Sequence, residues 1–188
     1  MNIQSIQLKL PYILLLCILA VLPLSKAHAV VAKEYHVKAV FLYNFANFVL
    51  WPDESFKDSN TAYEICIFGE DPFERIINLA VENHRANNRP LDVKRPRNLI
   101  DIMGCHILFI SESEEERLDA IFSFTEKYPI LTVSDIPDFV IRGGIIRFFS
   151  RNNKIRLEIR PSIAESVGLK IDANLLNLAD IFEEKERE

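Results

Sequence analysis

An α/β fold is predicted for this chain: a three-layer αβα sandwich whose sheet is mostly parallel and ends in a C-terminal antiparallel edge hairpin. Three observations predict it. Short β-rich runs alternate with helical patterns after residue 60, as in βαβ units whose sheet is covered on both faces. Before them lies YHVKAVFLYNFANFVLWP (residues 35–52), a helical stretch so apolar that it needs a sheet to cover. After them, GGIIRFF and KIRLEIR are separated only by Ser150-Arg151-Asn152-Asn153, which reads as a hairpin.

The chain opens with a positive Lys9, an apolar run over residues 11–24 and the small-x-small pattern Ala27-His28-Ala29. These are the three parts of a secretory signal peptide, expected over residues 1–29 with cleavage after Ala29. The apolar run falls short of the roughly 20 residues of a spanning helix. Cys17 follows Leu14-Leu15-Leu16 and lacks the frame of a lipoprotein cleavage site. Residues 30–188 are then one exported domain, long enough to bury a sizeable core. The formal net charge is −5, and every acidic residue lies beyond residue 29 while Lys9 and Lys26 lie before it. So acidic a product is a poor partner for nucleic acid or an anionic membrane surface.

In the helical stretch 35–52, His36, Asn44 and Asn47 fall near one narrow stripe, while Val37, Val40, Phe41, Phe45, Phe48 and Val49 cover much of the rest. One side is expected to cover the sheet, and the excess apolar surface, above all Phe41, Phe45 and Phe48, a dimer or partner interface. YEICIFG (63–69) reads as the first strand. DPFERIINLAVEN follows as a helix with Asp71 at the N-cap, Pro72 at the first helical position and Glu74 at the third. RPLDVKRP (89–96) is a second strand and CHILFIS (105–111) a buried third. Ser113-Glu114-Glu115-Glu116 forms a capping box for a helix reaching about Lys127. YPILTVSD (128–135) is the fourth strand, and the hairpin follows. Ser162 with Glu165 forms another capping box, and Asp172 caps a final helix ANLLNLADIF.

Cys66 and Cys105 are the cysteines left after the leader, an even number in an oxidising compartment. An internal disulfide is the leading expectation and a redox-active pair the alternative, although the spacing is no C-x-x-C motif. Ligands of open α/β sheets sit beyond the carboxyl ends of strands. Those ends are Gly69-Glu70-Asp71, Ser111-Glu112 and Ser134-Asp135, a candidate polar cleft whose residue types also suit plain turn and capping chemistry. Neither a G-x-G-x-x-G nor a P-loop is present, and Glu70, Asp71 and Glu74 crowd the helix start with negative charge. No G-x-S-x-G elbow frames a serine, and His36, His84 and His106 lack metal-ligand spacing. An enzyme, a bound metal and a cofactor are not expected. Arg156 and Arg160 share a strand face with Glu158 between them, near Arg147. They suit an anionic ligand or acidic partner, or else an edge strand guarded by charge.

In chain order, EYHVKAVFLYNFANFVLWP, ICIFGEDPF, CHILFIS, ILTVSD, FVIRGGIIRFF, IRLEI and GLKIDANLLNLA resemble the YfiR family of periplasmic proteins. The resemblance covers nearly all of residues 30–188. It implies a homodimeric αβα sandwich in the periplasm that regulates rather than catalyses. It also implies a partner, the periplasmic sensory part of an inner-membrane diguanylate cyclase, which the protein holds inactive. Cyclic-di-GMP signalling and biofilm formation then fall. Cys66 and Cys105 look like the family's internal disulfide pair. Some members carry a second cysteine pair where this chain has Val140 and Arg147, so redox sensing through that pair is not expected. The alternative is a periplasmic ligand-binding component serving a sensor kinase or an outer-membrane transporter. A third, a thiol redox enzyme, requires a reducible Cys66–Cys105 pair.

Overall fold

Hydrogen bonding along four neighbouring β-rich runs builds the centre of the molecule. The computed structural model describes residues 33–183, so the expected leader and its cleavage site lie outside the described residues. Among the described residues, 36–183 form one compact unit. Helix α1 occupies residues 33–48. Then follow β1 (Val49–Leu50), β2 (Tyr63–Phe68), α2 (Ile76–Val81), β3 (Arg85–Ala86), β4 (Arg89–Lys94), β5 (Ile107–Ile110), α3 (Leu118–Thr125) and β6 (Leu131–Ser134). The last part holds α4 (Phe139–Arg142), β7 (Ile146–Arg151), β8 (Lys154–Ile159), α5 (Pro161–Ser166), β9 (Lys170–Ile171), α6 (Ala173–Leu176) and β10 (Asp180–Ile181).

Among the described residues the main sheet has eight strands, in the order β10-β8-β7-β6-β5-β2-β4-β3. β4, β2, β5, β6 and β7 run parallel, with registers such as Ile65↔Ile107 and Phe109↔Val133. The predicted hairpin is present as β7 against β8, with Phe148 opposite Leu157. It is not the outermost pair, because β10 adds in parallel at Glu158 and Ile159. A separate two-stranded sheet joins β1 to β9 through Val49↔Ile171.

Register divides the sheet into two faces, since alternate strand residues point to opposite sides. Ile65, Ile67, Ile107, Phe109, Val133, Ile146 and Phe148 share one face and are buried. Helix α1 packs there, with the rings of Phe41 and Phe45 at 5.9 and 6.0 Å from that of Phe148. On the other face Cys66, Phe68, Leu108 and Ile110 form a core cluster with Leu118 and Ile121 of α3 and Phe139 of α4. Helices therefore cover both faces, giving the three-layer arrangement.

Several local expectations change. The helix after Gly69 begins at Ile76, not Asp71. Asp71 does accept the N–H groups of Phe73 and Glu74, but Glu74 adopts φ +48°, which breaks the helical path. Ser113 caps no helix; residues 112–117 are a 3-10 turn, and the Ser113 hydroxyl accepts from Glu70 N–H instead. Ser162 is likewise not a cap, because α5 starts at Pro161. Asp172 caps α6 through Asn174 N–H at 2.7 Å, yet that helix spans only four residues before the chain extends into β10.

Candidate functional site

β2, β5 and β6 are neighbours, so their carboxyl ends bring the predicted cleft residues to one edge of the sheet. Gly69 turns the chain with φ +97°, and a Cβ there would lie 2.5 Å from the Ser113 hydroxyl. That close approach lets Glu70 N–H donate to Ser113 Oγ at 2.9 Å. Asp71 Oδ2 accepts from Arg95 Nε at 2.7 Å, tying the β2 exit to the chain after β4. Ser111 is buried and its N–H donates to the Phe68 carbonyl, whereas Glu70 and Glu112 are exposed. Ser134 donates its hydroxyl to the Ile110 carbonyl at 2.7 Å and accepts Ile136 N–H at 3.1 Å. Asp135 accepts from Lys38 of α1 at 2.6 Å. Chemically this edge fastens loops and a helix to the sheet: the hydroxyls of Ser113 and Ser134 and the carboxylates of Asp71 and Asp135 are engaged by neighbouring groups.

A bond joins Cys66 to Cys105, whose Cα atoms are 5.9 Å apart. Cys66 is central in β2, and Cys105 ends the 3-10 turn that leads into β5. Both sulfur-bearing residues are buried in the cluster with Ile102 and Leu118, a position that suits a structural cross-link.

The residues expected at an interface separate into two groups. Phe45 is fully buried, and Arg160 is buried with its guanidinium donating to the Val140 carbonyl at 3.2 Å. Neither presents a surface to a partner, because each fills or braces the core. Phe41 and Phe48 are half-buried and Arg156 is exposed. Helix α1 instead exposes Val37 and Val40, at 38% and 46%. Arg147, half-buried, pairs with Glu158 across the hairpin at 2.8 Å.

At the opposite, amino ends of β2 and β5 lies a cluster that sequence reasoning missed. His106 is 5% exposed, and its ring stacks on Phe56 at 4.6 Å. Trp51 and Tyr63 stand edge-on at 6.2 and 5.5 Å. Glu64 N–H donates to His106 Nδ1 at 3.1 Å, which makes Nδ1 an acceptor and leaves Nε2–H to donate to the Ser55 carbonyl at 3.2 Å. The geometry thus selects the neutral Nε2–H tautomer. Burial holds the His106 pKa below its ordinary 6.5, the Ser55 carbonyl opposes, and the charges of Arg89 and Lys94 add to the lowering. Arg89 lies 3.9 Å above the Phe56 ring and donates to the Thr61 carbonyl at 3.2 Å. Asp58, in the same connection, is held below the usual carboxylate range by the N–H of Asn60 and the hydroxyl of Thr61. Among the described residues, Trp51 Nε1, Ser55 Oγ and Glu64 Oε2 are buried without a hydrogen-bond partner.

A cavity of about 260 Å³ lies among Phe122, Thr125, Thr132, Arg142 and Ile163, and an open depression of about 430 Å³ among Lys94, Arg95, Arg97 and Asp101. Neither includes a residue of the predicted cleft. Among the described residues no group of three or more His, Cys, Asp or Glu could hold a metal ion, and no helix is long and apolar enough to cross a membrane.

A family model described as YfiR/HmsC-like matches residues 35–180. A crystal structure of a conserved domain protein from Vibrio cholerae O1 biovar El Tor str. N16961 aligns at 10% identity with a TM-score of 0.49. The alignment covers 64% of this chain and 55% of that one, so the chain spans about half of that protein's length. No curated protein matches the chain.

Proposed function

The chain belongs to the YfiR/HmsC-like family, and from that premise we propose that it is a periplasmic repressor of an inner-membrane diguanylate cyclase. At family level, membership supports a regulatory role in diguanylate cyclase signalling in the periplasm. The finer reading is that the protein binds the cyclase's periplasmic sensor region, holds the enzyme inactive and so lowers cyclic-di-GMP and biofilm formation. The observation that carries it is the extent of the family match, residues 35–180, which takes in α1 from its third residue, the whole of β1 to β9 and the first residue of β10.

Helix α1 supplies the partner surface in this proposal. Its inner side is consumed by Phe148 and the rest of the sheet, while Val37 and Val40 stay outside, flanked by the uncovered parts of Phe41 and Phe48. A homodimer forms in the same reading, and exposed Arg156, paired with Phe149 in the hairpin, provides a cationic group on the sheet face away from Phe148. Affinity capture on the tagged full chain, from membranes solubilised under native conditions, tests the partner. Recovery of a diguanylate cyclase agrees with the proposal. Recovery of a sensor kinase or an outer-membrane transporter in its place supports a ligand-binding component and contradicts it.

A further inference from the structure

Residues 51–62 form a lid over one imidazole. Trp51, Ser55 and Phe56 come from this connection between β1 and β2, and all three bear on His106: one ring edge-on, one carbonyl as hydrogen-bond acceptor, one ring stacked. With the lid in place, His106 is almost wholly removed from water. The connection is also held by Tyr63 of β2, whose ring lies 5.2 Å from Trp51 and 5.1 Å from Phe56, and by Arg89 of β4, which reaches the Thr61 carbonyl and the Phe56 ring.

We propose that neutral His106 is a latch that keeps residues 51–62 closed over the amino ends of β2 and β5, and that its protonation releases them. A proton can arrive only at Nδ1, because Nε2 already carries one. Protonated Nδ1 then faces Glu64 N–H, donor against donor, and the 3.1 Å bond is lost. The new cation is buried and has Arg89 and Lys94 as charged neighbours from β4; Glu64 of β2 is held by Lys94 at 2.9 Å. Two contacts favour the cation, the Ser55 carbonyl and the Phe56 face. Burial is the larger effect and disfavours it. Opening the lid resolves the conflict by hydrating the imidazolium. It also offers water to Trp51 Nε1 and Ser55 Oγ, which the closed lid buries without partners among the described residues.

The sign follows from where protons bind. Below pH 6.5 the open state takes up a proton that the closed state resists, so the open-to-closed ratio rises by up to about tenfold per pH unit until the closed state also protonates. Above pH 6.5 the ratio is flat. The latch stands on its own geometry and does not depend on the choice of membrane partner.

Trp51 is the sole tryptophan of the chain and sits in the lid, so it reports opening directly. Acrylamide quenching of its fluorescence is measured on the full chain from pH 7.5 to 5.0, beside far-UV circular dichroism. The latch predicts a several-fold rise in the quenching constant below pH 6.5 with no loss of secondary structure. In His106→Asn, whose Oδ1 can still accept Glu64 N–H but takes no proton, the rise is absent. Should that variant not fold, the titration of the His106 ring by NMR in the unaltered chain decides. A ring that titrates below 6.5 in step with quenching supports the latch. Quenching that stays flat while the ring protonates, or a ring that titrates at 6.5 or above, overturns it.

Discussion

Lys38 Nζ of α1 stands 2.6 Å from Asp135 Oδ2, just past the end of β6, with 3% and 17% of the two side chains exposed. One helix and one strand end, 97 residues apart in sequence, are thereby fastened by a nearly buried ion pair. Removing one partner of such a pair leaves the other charged and desolvated. Asp135→Asn is expected to destabilise the protein by about 3 kcal/mol in urea unfolding. Lys38→Met with Asp135→Leu should recover much of the loss, because both charges of the pair are then removed together. An additive double variant would contradict the coupling.

The Cys66–Cys105 bond closes a long loop, with a sequence separation of 39. In the chain-entropy model such a closure stabilises by about 4 kcal/mol. Cys66→Ala with Cys105→Ala should lower the urea midpoint accordingly. Both cysteines lie in the buried cluster, so the native protein should also resist alkylation after mild reductant. Ready reduction and labelling in the folded state would restore the redox-active reading.

Gly144 lies under the Phe139 ring, and a Cβ there would come within 2.1 Å of it. Phe139 is fully buried in the core cluster, so the ring has little room to give. Gly144→Ala is expected to cost about 1 to 3 kcal/mol by overpacking, read as a lower melting temperature. An unchanged melting temperature would mean the ring has a second packed position.

His106 makes stability fall with acid. Its pKa is lowered in the folded state, so its contribution is fully present above 6.5 and declines as pH drops below it. The slope is at most about 1.4 kcal/mol per pH unit, and His106→Asn should flatten it. Urea midpoints taken between pH 7.5 and 5.0 check both statements.

Surface and core substitutions on α1 should part company. Phe45→Asp places a charge where Phe45 is fully enclosed beside Phe148, and the chain should fail to fold. Val40→Asp alters an exposed position and should leave circular dichroism and melting temperature nearly unchanged while weakening partner capture at least tenfold. Native capture by Val40→Asp would move the partner surface off α1.

The central strands were legible because each is a short β-rich run closed by Gly, Ser or Asp, as in YEICIFG and ILTVSD. Helix α1 was legible from its dense apolar pattern, and the hairpin from Asn152-Asn153, both at positive φ. The two-residue strands β1, β9 and β10 carry no local signal, since long-range register alone creates them, whereas β3 is a tight hairpin with β4 through Asn87-Asn88, both at positive φ. Asp71 and Pro72 announced a helix start, but Glu74 in the left-handed region delays it to Ile76. At the candidate cleft, spacing placed Ser134 and Asp135 at a strand end correctly but could not reveal that Ile110 and Lys38 occupy them. The His106 cluster draws on residues 51, 55, 56, 63 and 106, which no sequence window brings together.

The central claim is that this chain restrains a diguanylate cyclase, and intracellular cyclic-di-GMP is its most direct readout. In the native cell, deleting the gene should raise cyclic-di-GMP several-fold. Returning the unaltered gene should lower it again, and returning the Val40→Asp form should not. Levels that stay the same with and without the gene, in both sparse and biofilm growth, would contradict the account.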